Sequence, residues 1–241
     1  MNADELKSEL AKIKEEKHFL LKLINHDIRS PFNRIFALLQ LFELEDNELQ
    51  GNKKEYIHSM YLSTLSGLEM ITNLRDMREI DAGNISIDKT EFDLIAAIKK
   101  SIRSYSKQIE LKGQQVQIHT FLENISIVSD EYFVQRVIEN VLSNAIKFSK
   151  LGDKIDISIE KNEDSYLIEI QDSGAGIKTG EEHLLFAKFK KLSNIATGGE
   201  GSLGLGLYNT KSFLNPLKGK ISLIRKKLIG SSFRIELPIK I

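Results

Sequence analysis

In ENVLSNAIKFS (139–149), Asn140 and Asn144 stand four residues apart, and Lys147 follows about a turn later. On a helix that spacing stacks all three along one side. An amide oxygen is a neutral hard ligand, suited to a Mg²⁺ ion that already draws charge from nucleotide phosphates. Taken alone, the pattern more often marks surface asparagines on an ordinary helix. In QDSGAGI (171–177), Asp172 closes a strand-like run and is followed by Gly174 and Gly176. Glycines let backbone approach a flat ligand closely, and the carboxylate can accept a hydrogen bond from it. A strand ending in an Asp-Ser-Gly turn would look the same. The third stretch, GGEGSLGLGLYNTKSF (198–213), runs glycines into an apolar helix. Free N–H groups at such a helix start can dock phosphates. A flexible surface loop is the plain alternative.

The fourth stretch is INHDIRSPFNRI (24–35), where His26 adjoins Asp27. Imidazole is a fair nucleophile near neutrality, with a reference pKa of about 6.5. A carboxylate holding one ring nitrogen makes the other the better attacker. At about 100° per residue, His26 lies some 200° around the helix from Ile24, away from the apolar seam. Ser30 is one turn further along and could orient a water. Pro31 cannot donate a hydrogen bond to the carbonyl of Asp27, so the helix weakens directly after the reactive turn. His18, His58, His119 and His183 lack an acidic neighbour with motif context and read as ordinary histidines.

The elements that must hold these groups fall into two halves. Residues 1–80 contain one proline and two glycines, and read as helix nearly throughout. Leu6, Leu10, Ile13, Lys17, Leu20, Ile24 and Ile28 recur at three- and four-residue spacings, interrupted by Lys17. The pattern continues through Ile35, Leu38, Leu39 and Phe42 and breaks at the polar ELEDNELQGN (43–52). A second run carries Ile57, Met60, Leu65, Leu68, Ile71, Leu74 and Met77. One helical hairpin buries little, whereas two paired hairpins make a four-helix bundle, so a homodimer is expected. After DAGN (81–84) the texture changes. Helices are expected at 92–113, 130–149 and 203–215, with strands at 115–121, 154–161, 165–172, 220–227 and 231–239. Val134, Val137, Val141 and Ala145 mark a buried stripe, leaving Asn140 and Asn144 at its border over a cleft. This half reads as an α/β two-layer sandwich with helices on a mixed, mostly antiparallel sheet.

Composition narrows the function classes. Over 241 residues, 34 basic and 34 acidic side chains cancel, which gives nucleic-acid binding no support. Zero cysteines rule out disulfides and thiol catalysis. No apolar run approaches the roughly 20 residues that span a bilayer, and there is no signal-peptide pattern. A cytoplasmic location is expected.

The motifs occur in order, each on the expected type of element, and together they resemble the sensor histidine kinases of two-component signalling. HDIRSPFNRI is similar to that family's H box, ENVLSNAIKFS to its N box, and DSGAGI to its first glycine box. LFAKF (185–189) is similar to its F box, GLGL (204–207) to the core of its second glycine box, and GSSFRIELP (230–238) to its last strand. The resemblance implies a dimerisation and phosphotransfer hairpin over 1–82 and an ATP-binding domain of the Bergerat type over 83–241. It makes His26 the phosphoacceptor, Asp27 its acidic neighbour and Ser30 an accessory group. It makes Asn144 and Asn140 the Mg²⁺ ligands and Lys147 a basic residue near the phosphates. Asp172 becomes the reader of the adenine amino group. Phe148, Gly174, Gly176, Phe189, Gly204, Leu205, Gly206 and Leu207 line the nucleotide. The implied cofactors are ATP and Mg²⁺, and the implied partner is a response-regulator receiver domain.

Three departures stand out. Ala187 and Lys188 separate Phe186 from Phe189 where the F box usually has Glu-Pro. Ser202 replaces a frequent glycine, and LNPLKG (214–219) replaces a His-Gly-Gly-like turn. ATPases sharing the fold place a glutamate at the position matching Asn140. An amide cannot deprotonate water, and Glu139 points about 100° away, so phosphotransfer is favoured over hydrolysis. A non-catalytic nucleotide-binding scaffold remains a third reading.

Overall fold

The computed structural model describes residues 28–44, 50–122, 125–224 and 230–241. His26, Asp27, the seam from Leu6 to Ile24 and residues 45–49 of the polar break expected at 43–52 lie outside the described residues. Two compact units are present, one of residues 1–71 with 201–203 and one of 72–200 with 204–241.

The first unit contains helix α1 (Arg29–Leu44) and most of helix α2 (Gln50–Asp81). Ile28 occupies a π-type turn directly before α1, and Pro31, in the first turn, is buried. A Cβ at Gly67 would stand 3.4 Å from the Phe32 ring and 3.5 Å from Pro31. Gly67 therefore lets α2 approach the start of α1 closely. The inward face of α2 is built from Leu62, Ser63, Ser66 and Met70, all buried. This differs from the face expected from the apolar spacing. Ile57, Leu68 and Ile71 are exposed, as are Phe32, Phe36, Leu39, Leu41 and Tyr61, while Met77 is buried. Gly67 faces α1, whereas Ser66 donates from its hydroxyl to the Gly201 carbonyl at 3.1 Å. A four-helix bundle is not evident in the single chain.

The second unit is the expected α/β sandwich. A five-stranded sheet runs in the order β2 (Gln115–His119), β4 (Lys154–Lys161), β5 (Ser165–Gln171), β7 (Ser232–Pro238), β6 (Lys220–Ile224). Strands β2 and β4 are parallel, and the other pairs are antiparallel. The register aligns Ile159, Ile168, Ile235 and Ile221 in one row across four strands. Alternation along β4 buries Ile155, Ile157 and Ile159 on the same face. Against that face pack α3 (Leu94–Ser104), α5 (Glu131–Phe148) and α6 (Gly206–Leu214), closing one apolar core that includes Leu94, Ile98, Ile138, Leu142, Ile146 and Phe213.

The helix expected over 92–113 is divided. Asp93 ends the short strand β1 (Thr90–Asp93) and caps α3 by accepting from the Ile95 amide at 2.9 Å. Tyr105 interrupts the run before α4 (Ser106–Leu111). Strand β1 pairs antiparallel with β3 (Ser126–Ser129) in a separate ribbon. Asp130 then caps α5, accepting from the Phe133 amide at 3.0 Å.

Candidate nucleotide-binding site

Helix α5 carries the asparagines. Its stripe of Val134, Val137, Val141 and Ala145 is buried as expected. Asn140 is more buried than a border position implies, at 4% exposure, and its Nδ2 has no hydrogen-bond partner among the described residues. Its Oδ1 lies 3.9 Å from where a Cβ of Gly206 would stand. Gly206 is the first residue of α6, whose N-cap residue, Leu205, supplies no side-chain cap. An uncapped helix start, with its outward N–H groups and partial positive charge, therefore adjoins a buried amide with an unmet donor. Asn144 is half-buried, and Lys147 is buried to 4% exposure.

Asp172 follows β5 at the second edge of the site. Its carboxylate Oδ1 accepts from the amides of Gly174 at 2.8 Å and Ser231 at 3.1 Å. Burial pushes its pKa up from the ordinary aspartate value, and the Gly174 amide and both the amide and hydroxyl of Ser231 pull the other way. The group is a buried acceptor suited to a neutral or weakly acidic donor such as an exocyclic amine.

The glycines here are close-contact positions. A Cβ at Gly174 would stand 2.4 Å from the carbonyl oxygen of Phe148, at the end of α5. At Gly204, φ is +69° and a Cβ would lie 2.5 Å from the Lys190 carbonyl oxygen. Phe189, itself at φ 60°, donates its amide to the Gly204 carbonyl at 3.0 Å. Gly176 accepts from the Asn194 side chain through its carbonyl. Leu205 is fully buried, and Leu207 is packed against the core. The structure thus joins Phe148 to Gly174, Asn140 to Gly206, and Phe189 to Gly204. Ser30 is exposed on α1 in the first unit.

Sequence spacing missed several residues. Gly230 has φ +109° and a Cβ there would lie 1.9 Å from the Asp172 carbonyl oxygen, so this loop and the Asp172 turn fit only with glycine. Ser231 sits 59 positions from the carboxylate it supports. Lys188, in the altered F box, contacts both carboxylate oxygens of Asp81 at 2.7 Å and lies 5.0 Å from the Tyr208 ring centre. Burial lowers its pKa, but Asp81 and Tyr208 outweigh burial and hold it above the ordinary lysine value. Arg136 donates from Nε and Nη2 to Asp76 Oδ2 at 3.0 and 2.6 Å and from Nη1 to Glu139 at 3.1 Å. Burial opposes its charge, yet these two carboxylates raise its pKa.

The donor set suits a nucleotide-borne Mg²⁺. No cluster of three or more His, Asp or Glu side chains able to hold a metal occurs among the described residues. An ion here would take most of its ligands from phosphates and water, with the α5 amides completing the set.

Residues 129–241 match the family model described as histidine kinase-, DNA gyrase B-, and HSP90-like ATPase. Among curated proteins, hybrid signal transduction histidine kinase B of Dictyostelium discoideum is 29% identical over 245 residues, covering 99% of this chain and 12% of its own length. The sensor histidine kinase GacS of Pseudomonas protegens is 29% identical, covering 95% of this chain and 25% of its own. The autoinducer 2 sensor kinase/phosphatase LuxQ of Vibrio cholerae is 27% identical, at 97% and 27%. The chain thus spans about a quarter or less of these relatives. Among solved structures, the Acinetobacter baumannii histidine kinase AdeS superposes with TM-score 0.63 at 21% identity, covering 89% of this chain and 98% of that one. Histidine kinase ThkA in complex with response regulator protein TrrA gives 0.64 at 21%, covering 95% and 66%. Full-length ShkA in complex with AMPPNP gives 0.62 at 19%, covering 91% and 45%. No described helix is long and apolar enough to cross a membrane. The match to the ATPase family model thus lies within the α/β unit, and the relatives that align along nearly the whole chain, each under 30% identical, are named as histidine kinases.

Proposed function

We propose that the chain is an ATP-dependent protein-histidine kinase of a two-component signalling pathway. In this reading residues 83–241 bind ATP, and residues 1–82 carry the phosphoacceptor His26 and form a homodimer. The exposed apolar residues Phe32, Phe36, Leu39, Ile57, Leu68 and Ile71 support pairing with a second copy.

Asp172 accepts a hydrogen bond from the adenine amino group, and Lys147 with the start of α6 faces the phosphates. Asn144 and Asn140 would hold Mg²⁺, which supplies charge neutralisation on the transferring phosphoryl group. His26, oriented by Asp27, attacks the γ-phosphorus; an N–P bond forms as the bond to the β–γ bridging oxygen breaks, releasing ADP. A receiver-domain aspartate then takes the phosphoryl group, a partner class supported by the ThkA–TrrA neighbour. Ser30 could orient a water that hydrolyses the regulator's phospho-aspartate, regenerating the carboxylate and releasing inorganic phosphate. The π-type turn at Ile28, followed by Pro31 in the first turn of α1, supplies a bend point two residues after His26 in sequence.

The observation that carries this reading over ATP hydrolysis is the state of Glu139. Its carboxylate accepts from Arg136 at 3.1 Å and from Gln135 at 2.8 Å, so the acidic neighbour of Asn140 is occupied rather than poised as a base. Incubation with γ-labelled ATP tests it. Acid-labile label on the wild-type chain that is absent from His26→Gln is the expected result. Phosphate release without labelled protein would replace the kinase by an ATPase, and neither product would leave a nucleotide-binding scaffold.

A further inference from the structure

The last carbonyls of a helix have no partner within it, and at the end of α5 they are met from far along the chain. Lys112 Nζ donates to the carbonyls of Ile146 at 2.9 Å and Lys147 at 3.3 Å. Gln114 Nε2 donates to those of Ile146, Ser149 and Lys150 at 3.1, 3.3 and 3.2 Å. The Thr197 amide donates to the Lys147 carbonyl at 2.9 Å, and its hydroxyl lies 3.1 Å from Lys112 Nζ.

One further contact is not part of this cap. Lys112 Nζ stands 2.7 Å from Glu200 Oε1, with the two side chains 1% and 3% exposed. The other oxygen, Oε2, accepts from the Gly198 amide at 2.8 Å. Charges this deeply withdrawn from water persist only when paired and hydrogen-bonded. Glycine-rich backbone loses more entropy on ordering than other chain, so its few attachments decide where such a segment rests. Two serve here: Thr197 at the start, whose hydroxyl also donates to the Lys147 carbonyl at 3.0 Å, and Glu200 in the middle of ATGGEGS, the charged one, which lands on the same helix turn that carries Lys147.

We infer that Lys112 is a positioning residue for the nucleotide site: its buried pair with Glu200 seats residues 196–200 on the C-terminal end of α5 and governs how readily they lift. The consequence for nucleotide rests on the ATP-binding reading above; the seat itself does not.

Hydrogen exchange on the nucleotide-free full chain tests the seat, and release of a fluorescent ATP analogue tests its consequence. Glu200→Gln should speed exchange of the Thr197 and Gly198 amides about tenfold, the lower range for losing a charge-assisted hydrogen bond, and leave β4, β5 and β7 unchanged. Analogue release should accelerate by a similar factor. Lys112→Met should act alike, and the double variant should exceed neither single variant by more than about twofold. Both amides and the release rate staying within about twofold of wild type in Glu200→Gln, with sheet protection intact, would overturn the inference, as would fully additive effects. This variant decides alone if Lys112→Met does not fold. Faster exchange in a chain that binds no analogue would uphold the seat and remove the nucleotide reading.

Discussion

Replacing Asp172 with asparagine separates recognition from architecture. The amide oxygen of the variant can still accept from the Gly174 and Ser231 amides, which lie 2.8 and 3.1 Å from Oδ1 in the wild type. The turn should therefore hold. What changes is the charge and the second position, where an NH₂ donor replaces an acceptor. A hydrogen bond to a charged group contributes about 1.5–3 kcal/mol, so the loss corresponds to roughly ten- to hundredfold weaker ATP binding. The pH dependence supplies an independent check. Because burial raises the folded-state pKa, the folded chain takes up this proton before the unfolded chain does as pH falls. The group's contribution to stability is thus fully present below the ordinary aspartate value and is lost as pH rises through the raised pKa. Nucleotide affinity should move oppositely, falling as the acceptor is protonated. Calorimetric titration of the full chain with ATP across pH, alongside urea denaturation, measures both. Asp172→Asn should bind weakly at all pH and lose this titration from its stability curve. ATP affinity within about threefold of wild type would refute the assignment of Asp172 as the base reader.

Other expectations concern packing and charge. Gly174→Ala places a methyl 2.4 Å from the Phe148 carbonyl oxygen, so it should cost about 1–3 kcal/mol, as overpacked sites do, by urea denaturation. Asp76→Ala leaves Arg136 short of its principal partner in a site only 13% exposed, and should cost about 3 kcal/mol. Replacing both residues with apolar ones should recover most of that in the same measurement. Lys188→Ala removes a pair whose members are 29% and 34% exposed, so its stability change should stay under about 1 kcal/mol.

The readable parts of this chain were those where chemistry and spacing coincide within a dozen residues. The α5 stripe, the Asp172 turn and the glycines before α6 lie where periodicity and turn chemistry put them. Strands β1 and β3 escaped because four residues are too few for alternation to register. Asn140 seemed a border residue because its neighbours on α5 say nothing of Gly206, 66 positions later, which closes over it. Ser231, Lys112 and Glu200 have ordinary local surroundings; their roles arise only when distant turns meet. On α2, apolar spacing marks residues that stay exposed in the single chain, and it gives no sign that Ser63, Ser66 and Gly67 turn inward, because they are small rather than greasy.

The sheet order has a bearing on how the protein behaves in concentrated solution. Among the described residues, strands β2 and β6 are its two borders, and a border strand's outward backbone groups can recruit a strand from another molecule. Both alternate half-buried apolar residues with polar ones: Gln115, Gln117 and His119 on β2, Lys220 and Ser222 on β6. His119 also holds Asp156 at 2.7 Å on the neighbouring strand, so the border bears an exposed, well-hydrated pair. A foreign strand docking there would have to strip water from that pair before gaining its own hydrogen bonds. The β2 border is thereby guarded against fibre-like growth, and a His119→Val, Gln117→Val chain should precipitate at concentrations the parent tolerates.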